Sequence, residues 1–258
     1  MKFRKNMFLE VSTQNISGTE FFKSIVLNRV VNMTSKNVYY KEAQNIQDFR
    51  IDIKNKNLYV LVEGEAVYIK MVTLPVVKKY LINDMVKNEL KYYYKDIKNI
   101  AFTYKLIKQD KSNMEILVFC LKGNNLDILE NSITNNVNLK KVNLIQFCFK
   151  NYYASKISVK NYIFVFYYNH NLYFLICCNN EIRANNIIKV RELPLIKFSR
   201  VMNEFLELYN DYAKLCEEIY YANISELDLD EFGYLKLTYQ IFEDLKREEL
   251  IKYIIGKE

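Results

Sequence analysis

Paired runs of strand-forming residues, separated by short stretches of turn chemistry, constrain this chain more than any other feature it carries. Leu58–Val62 and Ala66–Val72 flank Gly64, and Tyr162–Tyr168 and Leu172–Cys178 flank Asn169-His170-Asn171, so each pair reads as a β-hairpin. Ala101–Ile107 sets Phe102, Tyr104 and Leu106 against Thr103 and Lys105, the period of a half-buried strand, with Met114–Leu121 as its expected partner. Helical patterns lie between these strands. After Pro75, which fits a first helical turn, Val77, Leu81 and Met85 form one face with Ile82 and Val86 beside them, and Lys79, Asn83, Lys87 and Lys91 form the opposite stripe. A second helix is expected after Asn124-Asn125, with Leu126, Leu129 and Ile133 inward. The mixture predicts an α/β fold.

The C-terminal part changes character. Val201, Phe205, Leu208, Tyr212, Leu215 and Ile219 recur at spacings of four and three, a seam of about three heptads that suits a packed bundle helix or a coiled-coil strand. A last helix is expected over Tyr239–Ile255, with Phe242, Leu245 and Ile254 inward. With 258 residues, 50% of them apolar, the chain can bury the core of one domain or of two closely packed ones.

Several classes of chemistry are disfavoured. The five glycines form no phosphate-binding fingerprint, and a backbone that cradles phosphate needs close approach without a Cβ. The one histidine, His170, lies in a turn, with no Ser or Cys nucleophile carrying a local signature beside it. Cys120, Cys148, Cys177, Cys178 and Cys216 have no C-x-x-C spacing and lie in apolar stretches, as buried thiols of a reducing compartment do. The carboxylates Asp228, Asp230 and Glu231, and the pair Glu248 and Glu249, read as solvated faces or caps. The N-terminus lacks a signal-peptide pattern, and no run approaches the roughly 18 apolar residues of a membrane span, so a soluble cytoplasmic protein is expected. The formal net charge of +7 favours anionic partners. Lys87, Lys91, Lys95 and Lys98, interleaved with Tyr92-Tyr93-Tyr94, form either a nucleic-acid-binding surface or a solvated helix face.

The stretch from Tyr68 to Ile107, with Val72-Thr73-Leu74-Pro75, Glu89-Leu90 and Tyr104-Lys105-Leu106-Ile107, followed by Ile116–Leu121 and Val142–Ile145, resembles the PilM family of type IV pilus assembly proteins. These are actin-like relatives of FtsA and of the GspL cytoplasmic domain, and the resemblance extends over about residues 5–190. It implies an actin-like (ribonuclease H-like) core half formed by residues 1–71 and 138–195, an inserted small α/β subdomain over 72–137, and a mainly helical segment over 196–258. Met7–Ser12 would occupy the first phosphate-loop strand and Val165–Tyr168 the second. Where the family shows Asp and Gly, this chain has Glu10 and Ser12 in the first and Phe166 and Tyr168 in the second. Phe and Tyr supply neither an acid for the Mg²⁺ shell nor close backbone approach to phosphate. No cofactor and no ATP hydrolysis are therefore expected, with a residual ATP-binding switch as the alternative.

The resemblance further implies a scaffold at the cytoplasmic side of the inner membrane. It would bind the N-terminal tail of a PilN-like bitopic protein in a groove beside the inserted subdomain, and would connect to a pilus motor ATPase. Tyr68, Leu74, Leu81 and Met85 are the expected groove lining.

Overall fold

The computed structural model describes residues 5–12, 16–26, 29–39, 55–64, 67–94, 97, 100–122, 138–190, 195–224 and 237–256. Among them, two five-stranded sheets share one topology. In the first, strands β1 (Lys5–Val11), β2 (Ile16–Val26) and β3 (Arg29–Tyr39) form an antiparallel meander. Strands β4 (Lys56–Val62) and β8 (Asn138–Leu144) extend it in parallel from β1, giving the order β3-β2-β1-β4-β8. The second repeats the plan with β9 (Tyr162–Tyr168), β10 (Asn171–Cys178) and β11 (Glu181–Lys189) as the meander. Strands β12 (Glu218–Ala222) and β13 (Thr238–Ile241) run parallel to β9, in the order β11-β10-β9-β12-β13.

The hairpins of the second sheet are built by their turns. Asn169 and His170 have φ of 43° and 60°, and Asn179 and Asn180 have φ of 54° and 61°, so both two-residue loops have the left-handed pair that matches strand twist. Asparagine tolerates this region because its short polar side chain hydrogen-bonds locally.

A period of two then sorts β9. Tyr162, Phe164, Phe166 and Tyr168 face the space between the sheets, while Ile163 and Val165 face helix α3 (Leu195–Leu208) through Phe198, Met202 and Phe205. Each sheet sends its last strand into a helix that fills the space between them. Helix α2 (Ile145–Tyr152) follows β8 and helix α5 (Arg247–Gly256) follows β13, and Ile145 and Phe149 meet Leu250, Ile251 and Ile254 in one core. Phe166 lies at its centre, stacked on Phe149 at 4.2 Å and on Tyr173 at 4.6 Å between ring centroids.

A third sheet, β5-β7-β6, is inserted between β4 and β8: β5 (Val67–Pro75), β6 (Ile100–Gln109) and β7 (Asn113–Lys122), with helix α1 (Lys79–Tyr94) on one face. The expected pairing of Ala101–Ile107 with Met114–Leu121 is present as β6–β7, and that of Tyr162–Tyr168 with Leu172–Cys178 as β9–β10.

Other expectations are corrected. Leu58–Val62 and Ala66–Val72 do not form a hairpin: β4 already has neighbours on both sides, so the chain turns away at Gly64, φ 92°, and β5 joins another sheet. Pro75 closes β5 instead of opening a helix. Helix α1 buries Ile82, Val86 and Leu90, an i, i+4 line suited to a flat sheet face, and leaves Leu81 exposed. The seam from Val201 to Ile219 breaks at Tyr209: a single turn α4 (Asn210–Ala213) follows, Leu215 is exposed, and Ile219 is buried as a residue of β12. Tyr239–Ile255 is likewise strand β13, a connection and α5. The segment 196–258 therefore completes the second sheet, because the apolar run Ile219-Tyr220-Tyr221 fits beside β9 and not on a helix. The expected helix after Asn124-Asn125 lies outside the described residues.

The aromatic stack sets a stability test. Phe166→Ala should cost about 3–5 kcal/mol, the range for emptying a fully buried aromatic site, read as a lower urea midpoint with little change in slope.

Candidate functional site

The C-terminal ends of β1 and β9 face each other across the cleft between the two sheets. Glu10, one residue before the end of β1, is 3% exposed, and its carboxylate is fully engaged. The Tyr168 hydroxyl, from the last residue of β9, donates to Oε1 at 2.5 Å, and the Ser17 hydroxyl donates to Oε2 at 3.2 Å. Arg247, in the first turn of α5, donates to Oε2 through Nε at 2.8 Å and also through Nη2, and reaches the Thr19 hydroxyl at 3.3 Å. Burial, then the charge and hydrogen bond of Glu10, push the Tyr168 hydroxyl far above its ordinary range, so it remains a donor.

A second carboxylate stands beside this pair. Glu63 follows β4, its N–H donates to Val11 O at 2.9 Å, and both its oxygens accept from Asn169 Nδ2 at 3.0 and 2.9 Å. Gly64 N–H donates to the Tyr173 hydroxyl at 2.9 Å. Burial pushes Glu63 up to about 7; the Asn169 bond and the Arg247 charge lower it, and the Glu10 charge raises it. The end of the first lobe is thus tied to the β9–β10 turn of the second. Gln146, in the first turn of α2, is fully buried, and its amide has no hydrogen-bond partner among the described residues.

A separate groove of 420 Å³ opens between the inserted sheet and the second lobe. Tyr68, Met71 and Tyr94 form one wall, and Arg183, Tyr209 and Tyr212 the other. Of the expected groove residues only Tyr68 lies here. Leu74 is buried under α1, Met85 packs partly buried against that same core, and Leu81 points to solvent, because the helix is rotated by one position from the expected face. On the exposed side of α1, Lys87, Lys91 and Tyr92 are solvated, while Tyr93 lies under Lys70 Nζ at 2.7 Å from its ring centroid. Lys95 and Lys98, and the carboxylates Asp228, Asp230 and Glu231, are outside the described residues. Glu248 and Glu249 stand exposed in the first turn of α5, favourable to its dipole. His170 is exposed in its turn, 3.3 Å from the Tyr167 hydroxyl. All five cysteines are buried free thiols, and burial pushes Cys177 up to about 12.

Solved structures reproduce this backbone. A chain of the "PilM-PilN type IV pilus biogenesis complex" superposes with a TM-score of 0.64, covering 97% of this chain and 96% of that one at 10% identity. A protein of unknown function with an actin-like ATPase fold from Bacteroides thetaiotaomicron gives 0.57, covering 96% and 95% at 8% identity. The cytoplasmic domain of EpsL, an inner-membrane component of the Vibrio cholerae type II secretion system, gives 0.56, covering 97% and 93% at 8% identity. The fold is the actin-like one. No protein-family model matches the chain, and no curated protein matches it in sequence.

Among the described residues, the positions compared with the phosphate loops offer no free ligand to a Mg²⁺-phosphate group: both oxygens of Glu10 are used within the protein, the Tyr168 hydroxyl is spent on Glu10, and Phe166 is locked in the aromatic core. Ser12 is half-buried just past β1. Arg247, Glu63, Asn169 and Gln146 were not singled out from sequence. The expected helix over Tyr239–Ile255 put Arg247 mid-helix, so its place in a first turn, where a cation opposes the dipole, emerges only from the structure.

Two measurements test the cluster. Arg247→Met alone should cost about 3–5 kcal/mol by leaving Glu10 buried and uncompensated, and adding Glu10→Gln should restore part of the loss. The second concerns pH. A folded-state pKa raised to about 7 means the folded chain holds the Glu63 proton more tightly; that stability is fully present below about 4.5 and is lost as pH rises through about 7. Between pH 5 and 8 the wild type should lose on the order of 2 kcal/mol that Glu63→Gln does not lose, measured by urea unfolding. An equal slope in both proteins would place the linkage elsewhere.

Proposed function

We propose that this chain is a non-catalytic scaffold of an inner-membrane assembly of the type IV pilus or type II secretion kind. In this reading it holds the N-terminal tail of a PilN-like membrane protein from the cytoplasmic side. One observation carries it: the interlobe cleft of an actin-like fold is spanned by the chain's own Glu10, Tyr168 and Arg247. A fold whose ligand cleft is bridged internally keeps its surfaces for partners. The likeness to a chain of a PilM–PilN complex over 97% of the length supports a partner of the PilN kind.

The groove between the inserted sheet and the second lobe offers such a tail a place. Extended segments bind at strand edges through main-chain hydrogen bonds and set alternate side chains into pockets. The net charge of +7 suits residence beside anionic lipid, and no helix among the described residues is long and apolar enough to cross a membrane.

The test is a pair of thermal-shift titrations, one with Mg·ATP and one with the cytoplasmic N-terminal peptide of a PilN-like membrane protein from the same genome. The peptide at a hundredfold excess over its Kd should stabilise the native chain by about 2.7 kcal/mol, and Mg·ATP should leave the midpoint unchanged. A shift with Mg·ATP would restore the nucleotide-switch reading, and no shift with the peptide would remove the PilN-like partner.

A further inference from the structure

The groove between the inserted sheet and the second lobe contains a charged group with unused bonding capacity. Arg183, on β11, has a side chain only 10% exposed, and its Nη1 is buried without a hydrogen-bond partner among the described residues. Its Nη2 stands 3.7 Å from Glu181 Oε2, an ion-pair distance too long for a hydrogen bond, while Glu181 Oε1 is taken by Lys105. Leaving a guanidinium N–H unbonded in a buried site is costly, and a carboxylate is its best-matched acceptor, since the planar fork accommodates two oxygens.

The surroundings define what brings that carboxylate. Among the described residues strand β5 pairs with β7 on one side only, and Val67 O accepts from Asn185 Nδ2 of β11 at 3.1 Å. In an antiparallel pair, outward-facing residues alternate, so the main-chain N–H and C=O of Ile69 and Met71 turn to the same side as Val67. Both residues line the groove, as do Lys70 and the rings of Tyr68, Tyr94, Tyr209 and Tyr212. A strand edge with no paired strand among the described residues accepts an extended backbone, tyrosines accept its side chains, and Arg183 and Lys70 make the groove cationic.

We propose that this groove selects an extended protein segment carrying an aspartate or glutamate, whose carboxylate is bound by Arg183. The proposal rests on the reading of the chain as a peptide-binding scaffold and adds the chemistry by which the segment is chosen.

The experiment is selection of a phage-displayed random decapeptide library on the full chain. Recovered peptides are then synthesised as acid and amide forms and titrated by fluorescence polarisation. Recovered sequences should share an acidic residue at one position, and converting it to Asn or Gln should weaken binding by about tenfold to a hundredfold. Arg183→Gln should abolish the difference between acid and amide, and Arg183→Lys should keep part of it. If Arg183→Gln does not fold, the acid-amide comparison on the wild type decides alone. Recovered peptides that bind at Tyr68, weakened by Tyr68→Arg, but equally as acid and amide overturn the role of Arg183 and leave the scaffold reading standing. Recovery of no peptide sensitive to Tyr68→Arg overturns both. Displacement of acidic peptides by an oligo-dT strand that itself requires Arg183 overturns the protein partner in favour of nucleic acid.

Discussion

The contact between Glu10 of β1, Tyr168 of β9 and Arg247 of α5 joins three elements from distant parts of the sequence at one buried point. Apolar packing supplies most of the cohesion between the two lobes, since both sheets turn aromatic and aliphatic side chains into the space filled by α2 and α5. Such packing is non-directional. A stack such as Phe149, Phe166 and Tyr173 tolerates small slides, whereas a buried carboxylate held by a guanidinium and a phenol has one satisfied arrangement. The polar cluster therefore sets the angle between lobes that the core holds together. The Asn169 bond to Glu63 acts in the same sense from the neighbouring strand.

The two lobes share a topology but are not equivalent in chemistry. At the end of β1 stands a charged residue, and at the end of β9 an aromatic one, so the polar meeting of the two turns is complementary and not duplicated. The third participant comes from the helix that the second lobe inserts against the first. Arg247 makes the connection from within the chain, and its place at a helix N-terminus, beside Glu248 and Glu249, is tolerated because Glu10 offsets its unfavourable interaction with the dipole.

How much of this was legible depended on the range of the interaction. The β9–β10 hairpin was readable because alternation and turn chemistry are both local, and Asn169-His170 carries the turn on its own. The resemblance carried by Val72–Pro75 and the elements after it led to the actin-like fold, which local patterns alone did not specify. Strand β12 was missed because it is short, is paired in parallel with β9, and continues a spacing of three and four that also suits a helix. The false hairpin at Gly64 shows the same limit in reverse: nothing within Leu58–Val72 reveals that β4 is already flanked by β1 and β8. For the site, Glu10 and Tyr168 were marked as departures from a phosphate-loop pattern, but that they bond to each other is a property of the tertiary fold. Leu81 stands away from the groove for a simpler reason, since a rotation of one position on α1 exchanges Leu81 for Ile82 on the buried side.

In actin-like proteins that use nucleotide, the ligand contributes to holding the lobes, so lobe geometry follows ligand concentration through mass action. An intramolecular guanidinium is always at its site, so in the proposed reading the corresponding cohesion here is unconditional and the lobe angle is fixed at folding. What stays adjustable lies away from that cleft. Strand β5 has no paired strand on the side toward β11 among the described residues, and the groove between them joins the inserted sheet to the second lobe. A segment bound there would bridge two bodies already linked by the Lys105–Glu181 ion pair and the Asn185–Val67 bond, stiffening a second joint instead of reopening the first. In the proposed reading partner binding and lobe closure are separate physical events, which is the behaviour a scaffold requires and a nucleotide-driven switch does not have.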